Sequence, residues 1–151
     1  MRSASGPAPL HASVAAAWTP QGWAGVMIEG PSGSGKSALT LRLLERGLRL
    51  VADDYAVIWA SGGRLYARAP ARIAGRLEGR GVGLFDVPPL PLAPLTLAIV
   101  AEAAPERLPE PRTRTLDGVT IPQLGLPLDA PLTAALVARA LRRLPCDPVL
   151  P

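Results

Sequence analysis

Gly30-Pro-Ser-Gly-Ser-Gly-Lys36-Ser37 fits the phosphate-binding pattern G-x-x-x-x-G-K-[ST] at every fixed position. Glycines let the chain bend so that successive backbone N–H groups point at an anion, and a helix that starts at the loop adds its positive end. In this pattern the lysine reaches the β- and γ-phosphate oxygens of a nucleotide, and the serine hydroxyl ligates Mg²⁺. We therefore predict a nucleotide-binding loop whose contacts come from Gly30, Ser32, Gly33, Ser34, Gly35, Lys36 and Ser37.

The segments on either side of this loop have the composition that the motif needs. Residues 25–29 are apolar and strand-like, whereas residues 38–45 are rich in helix formers and are followed by Gly47, a natural helix C-cap. A strand, a loop and a helix in this order distinguish a phosphate loop from a Gly/Ser-rich surface turn that fits the pattern by chance.

Outside this unit the sequence predicts many strands and one further helix. Strands are expected at residues 10–18, 48–54, 55–60, 64–68 and 95–101, with a short helical turn within 70–80 and a loop leading into a strand at 81–87. Residues 104–114 are expected to be exposed, residues 119–127 extended, and residues 132–143 helical. So many strands with two helices favour an α/β fold with a mixed β-sheet, a phosphate loop and flanking helices over a regular βαβ series.

Length and composition indicate one domain of a cytoplasmic protein. The 151 residues are 48% hydrophobic, and we expect a single domain over residues 10–145 between a flexible tail (1–9) and a short C-terminal tail (146–151). The single cysteine, Cys146, excludes an internal disulfide and is typical of a reducing compartment. No apolar run reaches membrane-spanning length, and the first residues lack the apolar middle of a signal peptide. The net charge of +4 comes from scattered arginines, so neither nucleic acid nor a membrane is expected as a partner.

Two acids and two basic residues are the candidates for chemistry beside the loop. Asp53 and Asp54 end a predicted strand, and acids at the carboxyl end of a strand lie beside the nucleotide in open α/β sheets. One could hold Mg²⁺ and the other could accept a proton from an attacking hydroxyl, although strand-end turns also favour such residues. His11, the only histidine, lies in the strand before the loop, and Arg80 lies in a glycine-rich segment. Taken alone, the histidine is more typical of a structural or surface residue, and the arginine of an exposed loop residue.

Together these segments resemble the catalytic domain of the bacterial HPr(Ser) kinase/phosphorylase family. The resemblance rests on His11 in its strand, on the phosphate loop, on Arg46-Gly-Leu-Arg-Leu-Val-Ala-Asp-Asp54 and on Leu77-Glu-Gly-Arg-Gly-Val-Gly-Leu-Phe-Asp-Val87. The last two follow the family patterns R-G-x-x-L-[VI]-A-D-D and L-E-x-R-G-x-G-[IL]-x-[DN]-[VI]. The resemblance implies the fold of phosphoenolpyruvate carboxykinase and of the HPr kinase C-terminal domain, in a short form without the N-terminal domain.

The resemblance also implies an activity and a role for each residue. The protein would be an ATP- and Mg²⁺-dependent serine kinase acting on HPr, the phosphocarrier of the sugar phosphotransferase system, and a homo-oligomer, typically a hexamer. Family members also remove the phosphate by phosphorolysis. Ser37 and Asp54 would serve Mg²⁺ and Asp53 would be the base, although the two acids could exchange roles. His11 would neighbour the transferred phosphate, and Arg80 would face the active site and the protein substrate.

Two positions depart from the family pattern. Ala38 stands where the family carries an acidic residue, and residues 127–132 lack the Gly-Arg pair expected near the end of the domain. Two other functions therefore stay open, namely a catalytically weakened nucleotide-binding sensor and a small-molecule phosphotransferase that uses the same loop. Turnover separates the sensor from an enzyme, and the acceptor that is phosphorylated separates the two enzymes.

Overall fold

The fold is built mainly from strands, with one α-helix in the amino-terminal half of the sequence and one near the end of the described residues. The computed structural model describes residues 8–143. Its strands are β1 (Ser13–Thr19), β2 (Gly22–Glu29), β3 (Arg49–Ala52), β4 (Val57–Ser61), β5 (Arg64–Arg68), β6 (Arg76–Gly79), β7 (Gly83–Asp86), β8 (Ala93–Ala101), β9 (Arg112–Leu116) and β10 (Val119–Leu126). Its helices are α1 (Lys36–Glu45) and α2 (Thr133–Arg143), with a 3₁₀ turn at Ala71–Ile73.

Eight of these strands form one mixed sheet. The strand order is β3-β1-β2-β8-β10-β9, and the β4–β5 hairpin joins the sheet where β5 pairs with β8. β8 runs parallel to both β2 and β10, whereas the other pairs in this sheet are antiparallel. β6 and β7 form a separate two-stranded hairpin. The predicted α/β architecture with a mixed sheet and flanking helices is confirmed.

The sheet carries an apolar core on each of its faces. Successive residues of a strand point to opposite faces, so a central strand that is covered on both sides reads as a continuous apolar run. On one face the sheet packs against the two helices through Val26, Ile28, Leu97, Ile99, Leu39, Leu43, Val137 and Leu141. On the other face it packs against the β4–β5 hairpin through Val14, Met27, Ala98, Ile58 and Leu65. The predicted phosphate loop therefore follows a strand that is buried on both sides.

Two short strands lie where the sequence pattern did not predict them. β9 begins within the segment expected to be exposed and extends two residues beyond it, and its Arg-Thr-Arg-Thr-Leu sequence has no apolar alternation because it is an edge strand with little burial. It pairs with β10 through Asp117 and Gly118, both with positive φ, which is the geometry of a two-residue hairpin turn. β6 occupies part of the segment expected to hold a helical turn. The predicted C-terminal tail (146–151) lies outside the described residues.

Leu97→Ala is expected to lower the free energy of unfolding by about 2–5 kcal/mol. Leu97 is fully buried on β8, between the sheet and the helices, so its truncation removes apolar contacts and leaves a cavity. Urea unfolding followed by far-UV circular dichroism measures the change. Leu108→Ala is the matched control, because Leu108 is 83% exposed and its truncation should change stability by less than about 0.5 kcal/mol. Equal, small effects at both positions would contradict the packing around β8.

Candidate functional site

The predicted phosphate loop connects the end of β2 to the start of α1. Two of its glycines have left-handed backbone angles, with φ of +82° at Gly33 and +106° at Gly35, which directly precedes α1. These angles are strained for residues with a side chain, so the loop requires glycine at both positions. Ser32 is exposed beside Gly33. The loop therefore has the sharp bend that an anion-binding turn needs at a helix N-terminus.

The Lys36 side chain folds back over this loop. Its ammonium group donates hydrogen bonds to the carbonyl oxygens of Gly30, at 2.8 Å, and of Pro31, at 3.2 Å. A Cβ atom on Gly30 would stand 2.5 Å from Ser34 Oγ, so this closely packed position also excludes a side chain. Within residues 8–143, no carboxylate forms an ion pair with Lys36. Among the described residues its buried ammonium group thus contacts carbonyl oxygens and no carboxylate, which suits the binding of an anion.

Asp53 is the buried acid of the site, and it accepts hydrogen bonds from three residues. The Ser37 hydroxyl, at the start of α1, donates to both carboxylate oxygens, at 2.8 and 3.1 Å. The Ser13 hydroxyl donates at 2.9 Å and the Glu78 backbone N–H at 3.1 Å. Asp53 thus ties together the first turn of α1, the start of β1 and the β6–β7 hairpin.

Asp54 is the exposed acid of the site, and its side chain is 55% exposed. Its φ of +72° lies in the left-handed region, which aspartate tolerates better than most residues. His11 Nε2 lies 2.9 Å from Asp54 Oδ1, and because a carboxylate only accepts, the imidazole N–H donates. The Tyr55 ring stacks on His11, with the ring centroids 5.1 Å apart. An accessible carboxylate oriented by an imidazole is suited to accept a proton.

Ser13 links the two acids and was not identified from the sequence. Its hydroxyl donates to Asp53 and accepts a hydrogen bond from the backbone N–H of Asp54, at 3.0 Å. The residue is fully buried on β1. One signal for it exists in the sequence, since Ser13 is a lone polar residue in the apolar run between His11 and Trp18. A buried polar side chain in such a run needs a partner, and here it has two.

The β6–β7 hairpin brings Arg80 to the loop. Arg80 Nη2 lies 3.9 Å from the position that a Cβ on Gly33 would occupy. The hairpin is anchored by Glu78, whose backbone N–H donates to Asp53. Asp53 therefore contacts the first turn of α1 and Arg80 lies beside the loop, whereas Asp54 with its partner His11 is joined to this site through its chain neighbour Asp53.

The segment that lacks the family's Gly-Arg pair also passes this loop. A Cβ on Gly35 would stand 3.5 Å from Leu128 Cβ and 3.8 Å from the Asp129 backbone nitrogen. Ala38, at the position of the missing acid, is exposed in the first turn of α1. Both departures therefore lie beside the candidate site.

Neither α-helix of residues 8–143 has the length and apolar character needed to cross a membrane.

Sequence comparison relates part of the chain to known enzymes. Residues 22–90 match the family model described as the HPr Serine kinase C-terminal domain. The HPr kinase/phosphorylase of Clostridium tetani is 48% identical over 66 residues, which are 44% of this chain and 22% of that protein. The HPr kinase/phosphorylase of Clostridium beijerinckii is 48% identical over 63 residues, which are 42% of this chain and 21% of that protein. The chain spans about a fifth of the length of the curated relatives it matches.

Structural comparison extends the similarity over most of the chain. The solved structure of the Hpr(Ser) kinase/phosphatase from Coxiella burnetii superposes with a TM-score of 0.72 and 26% sequence identity. The superposition covers 88% of this chain and 95% of that chain. It must therefore include much of the chain beyond residue 90, where the family model ends. Sequence and structure agree on the family that the motifs indicated.

Proposed function

We propose, on the premise that this chain is related to the catalytic domain of the HPr(Ser) kinase/phosphorylase family, that it transfers the γ-phosphoryl group of ATP to a serine of an HPr phosphocarrier. The observation that carries the proposal is that Lys36 and the Ser37–Asp53 pair lie at the start of one helix, with the Asp54–His11 pair directly after Asp53 in the chain. Phosphoryl transfer needs these three elements, namely a phosphate cradle, metal-binding oxygens and an acceptor for the hydroxyl proton.

The phosphate cradle is formed by the loop and Lys36. The ammonium group, now bonded to two carbonyls, would turn to the β- and γ-phosphate oxygens, and the N-terminus of α1 would contribute its positive end. Arg80, beside Gly33, would stabilise charge on the transferring group. Positioning and charge neutralisation by such groups supply most of the catalysis in this reaction class.

Mg²⁺ fits the Ser37–Asp53 pair. A hydroxyl and a carboxylate 2.8 Å apart are the hard oxygen ligands that this ion prefers. Residues 8–143 contain no group of three His, Cys, Asp or Glu side chains arranged to bind a metal, so nucleotide oxygens and water would complete the coordination. When bound, Mg²⁺ neutralises charge on the β- and γ-phosphate oxygens. This pairing favours Asp53 as the acid that serves Mg²⁺. The resemblance gave that role to Asp54 and the role of base to Asp53, and left open that the two acids could exchange roles.

Asp54 is then the proposed base. Its carboxylate would take the proton of the acceptor hydroxyl while the new oxygen–phosphorus bond forms and the bond to the departing ADP breaks. The His11 N–H, donated to Asp54 Oδ1, would hold the carboxylate in the required orientation. Phosphorolysis, the reverse type of reaction, would use Asp54 as the acid.

The proposed setting follows the family. HPr is proposed as the acceptor because the relatives are named HPr kinases. We further propose that the protein is a homo-oligomer that regulates the phosphotransferase system in the cytoplasm. The nucleotide-sensor alternative is favoured by two observations at the site, namely Ala38 in the first turn of α1 and a segment at Leu128 that passes the loop without an arginine.

Purified protein with Mg²⁺ and ATP is expected to phosphorylate the HPr of its own organism on serine, as measured by mass spectrometry. HPr with that serine changed to alanine, and reactions with EDTA, are the controls. Phosphate on HPr that depends on both the serine and the metal would support the kinase. ATP binding without transfer would favour the sensor, and transfer to a metabolite instead of HPr would favour the small-molecule enzyme. A protein that neither bound ATP nor transferred its phosphate would contradict the proposal.

A further inference from the structure

We infer that Arg114 neutralises the carboxylate of Glu29, the residue directly before the phosphate loop, and that nucleotide affinity depends on this neutralisation. The inference rests on the proposed nucleotide-binding function and adds a residue that lies outside every motif used above. Arg114 would touch no phosphate itself and would act through Glu29, so it is a positioning residue.

Glu29 is the last residue of β2 and directly precedes Gly30, the first residue of the phosphate loop. The carbonyl of Gly30 accepts a hydrogen bond from the Lys36 ammonium group at 2.8 Å. Consecutive Cα atoms are about 3.8 Å apart and a glutamate side chain is about 5 Å long, so the Glu29 carboxylate, even when extended across the sheet, stays within about 10 Å of Gly30, the distance over which charges interact at ordinary salt concentration. A carboxylate at this point therefore affects the potential at the site of the phosphates.

Arg114 reaches Glu29 from the far edge of the sheet. It lies on β9, and β10 and β8 separate that strand from β2. Three strand spacings are about 14 Å, so both side chains must extend across the sheet to meet. Arg114 Nη1 and Nη2 donate to the two oxygens of Glu29, at 2.5 and 3.1 Å, in a two-point ion pair. The Arg114 and Glu29 side chains are only 30% and 19% exposed.

A second ion pair also starts from β9, and it passes over a glycine of β10. Arg112 on β9 pairs with Glu102, just after β8, at 3.0 Å. A Cβ on Gly125 of β10 would collide with both of these side chains. The absence of a side chain at Gly125 of β10 therefore leaves room for Arg112 of the edge strand to reach Glu102.

The charges around the loop indicate what the Arg114 pair does. Asp53 and Asp54 already place two carboxylates near the first turn of α1, and a nucleotide brings several more negative charges. A third carboxylate, on Glu29, would repel the phosphates unless it is neutralised, and Arg114 neutralises it. An ion pair that served only to stabilise the fold would have no such effect on nucleotide affinity.

The experiment measures the ATP dissociation constant by isothermal titration calorimetry. We expect Arg114→Gln to weaken binding on the order of three- to tenfold at low salt, with the effect shrinking as salt is added. The double variant Glu29→Gln/Arg114→Gln should bind within about twofold of wild type, because the unpaired carboxylate is gone. Glu29→Gln alone should bind at least as well as wild type. Arg114→Lys, which keeps the charge, should retain most of the affinity.

Two controls separate this effect from folding and from net charge. Thermal unfolding of each variant checks that the fold is intact. Arg64→Gln changes the net charge by the same amount as Arg114→Gln. Arg64 is exposed in the β4–β5 hairpin, and its neighbour Leu65 pairs with the amino-terminal half of β8, whereas the loop follows the carboxyl end of β2, which runs parallel to β8. The ATP affinity of Arg64→Gln should therefore equal that of wild type.

Failure of the restoration in the double variant, or an equal loss at Arg64, would overturn the inference while leaving nucleotide binding intact. No ATP binding by wild type would overturn the proposed function and the inference with it.

Discussion

Lys36→Ala is expected to weaken ATP binding by at least about a hundredfold and to abolish phosphoryl transfer. The ammonium group is buried, bonds to the carbonyls of Gly30 and Pro31, and within residues 8–143 has no carboxylate in ion-pair contact. It is therefore the positive charge most directly available to the β- and γ-phosphates. Isothermal titration calorimetry measures the affinity, and single-turnover transfer to HPr measures the reaction.

The chain offers an unusually direct control for this prediction. Lys36 is its only lysine, so an amine-reactive reagent can modify only this side chain and the α-amino group. Bound ATP should protect Lys36 from modification, as read by peptide mass spectrometry. Lys36→Met keeps most of the side-chain length without the charge and should lose affinity as Lys36→Ala does. Retained affinity in either variant, with an unchanged melting temperature, would contradict a phosphate role for the lysine.

The bend between β2 and α1 could be predicted from the sequence because its requirements are local. The left-handed angles at Gly33 and Gly35 and the crowding at Gly30 each demand glycine at a fixed spacing from the lysine. The mixed sheet was predictable for a similar reason. β2 and β8 are buried on both faces and therefore read as continuous apolar runs.

The arrangement of the acids could not be predicted, because it depends on contacts between distant segments. Adjacent acids look equivalent in a sequence, yet Ser13 and Ser37 bond to Asp53, whereas His11 bonds to Asp54. The Arg114–Glu29 pair joins residues 85 positions apart, and its arginine lies on an edge strand with no apolar pattern. Only the folded sheet brings such residues together.

The two acids should therefore respond differently to the same substitution. Asp54→Asn is expected to lower the rate of transfer by about 10²–10⁴-fold while ATP affinity stays near wild type. Asparagine tolerates the left-handed backbone of position 54 and keeps an oxygen for the His11 N–H, so the variant removes the proton-accepting charge with little change of geometry. Single-turnover transfer and calorimetry on the same protein give the two quantities.

Asp53→Asn should behave in another way. Three residues, Ser13, Ser37 and Glu78, donate hydrogen bonds to this carboxylate. An amide would replace one accepting oxygen with an NH₂ group, and this donor would then lie opposite groups that also donate. We expect a lower melting temperature and a higher Mg²⁺ concentration for half-maximal transfer. In contrast, Asp54→Asn should keep the wild-type Mg²⁺ dependence in its residual activity. A raised Mg²⁺ requirement in Asp54→Asn, with a normal one in Asp53→Asn, would reverse the two assignments, because the metal would then depend on the exposed acid.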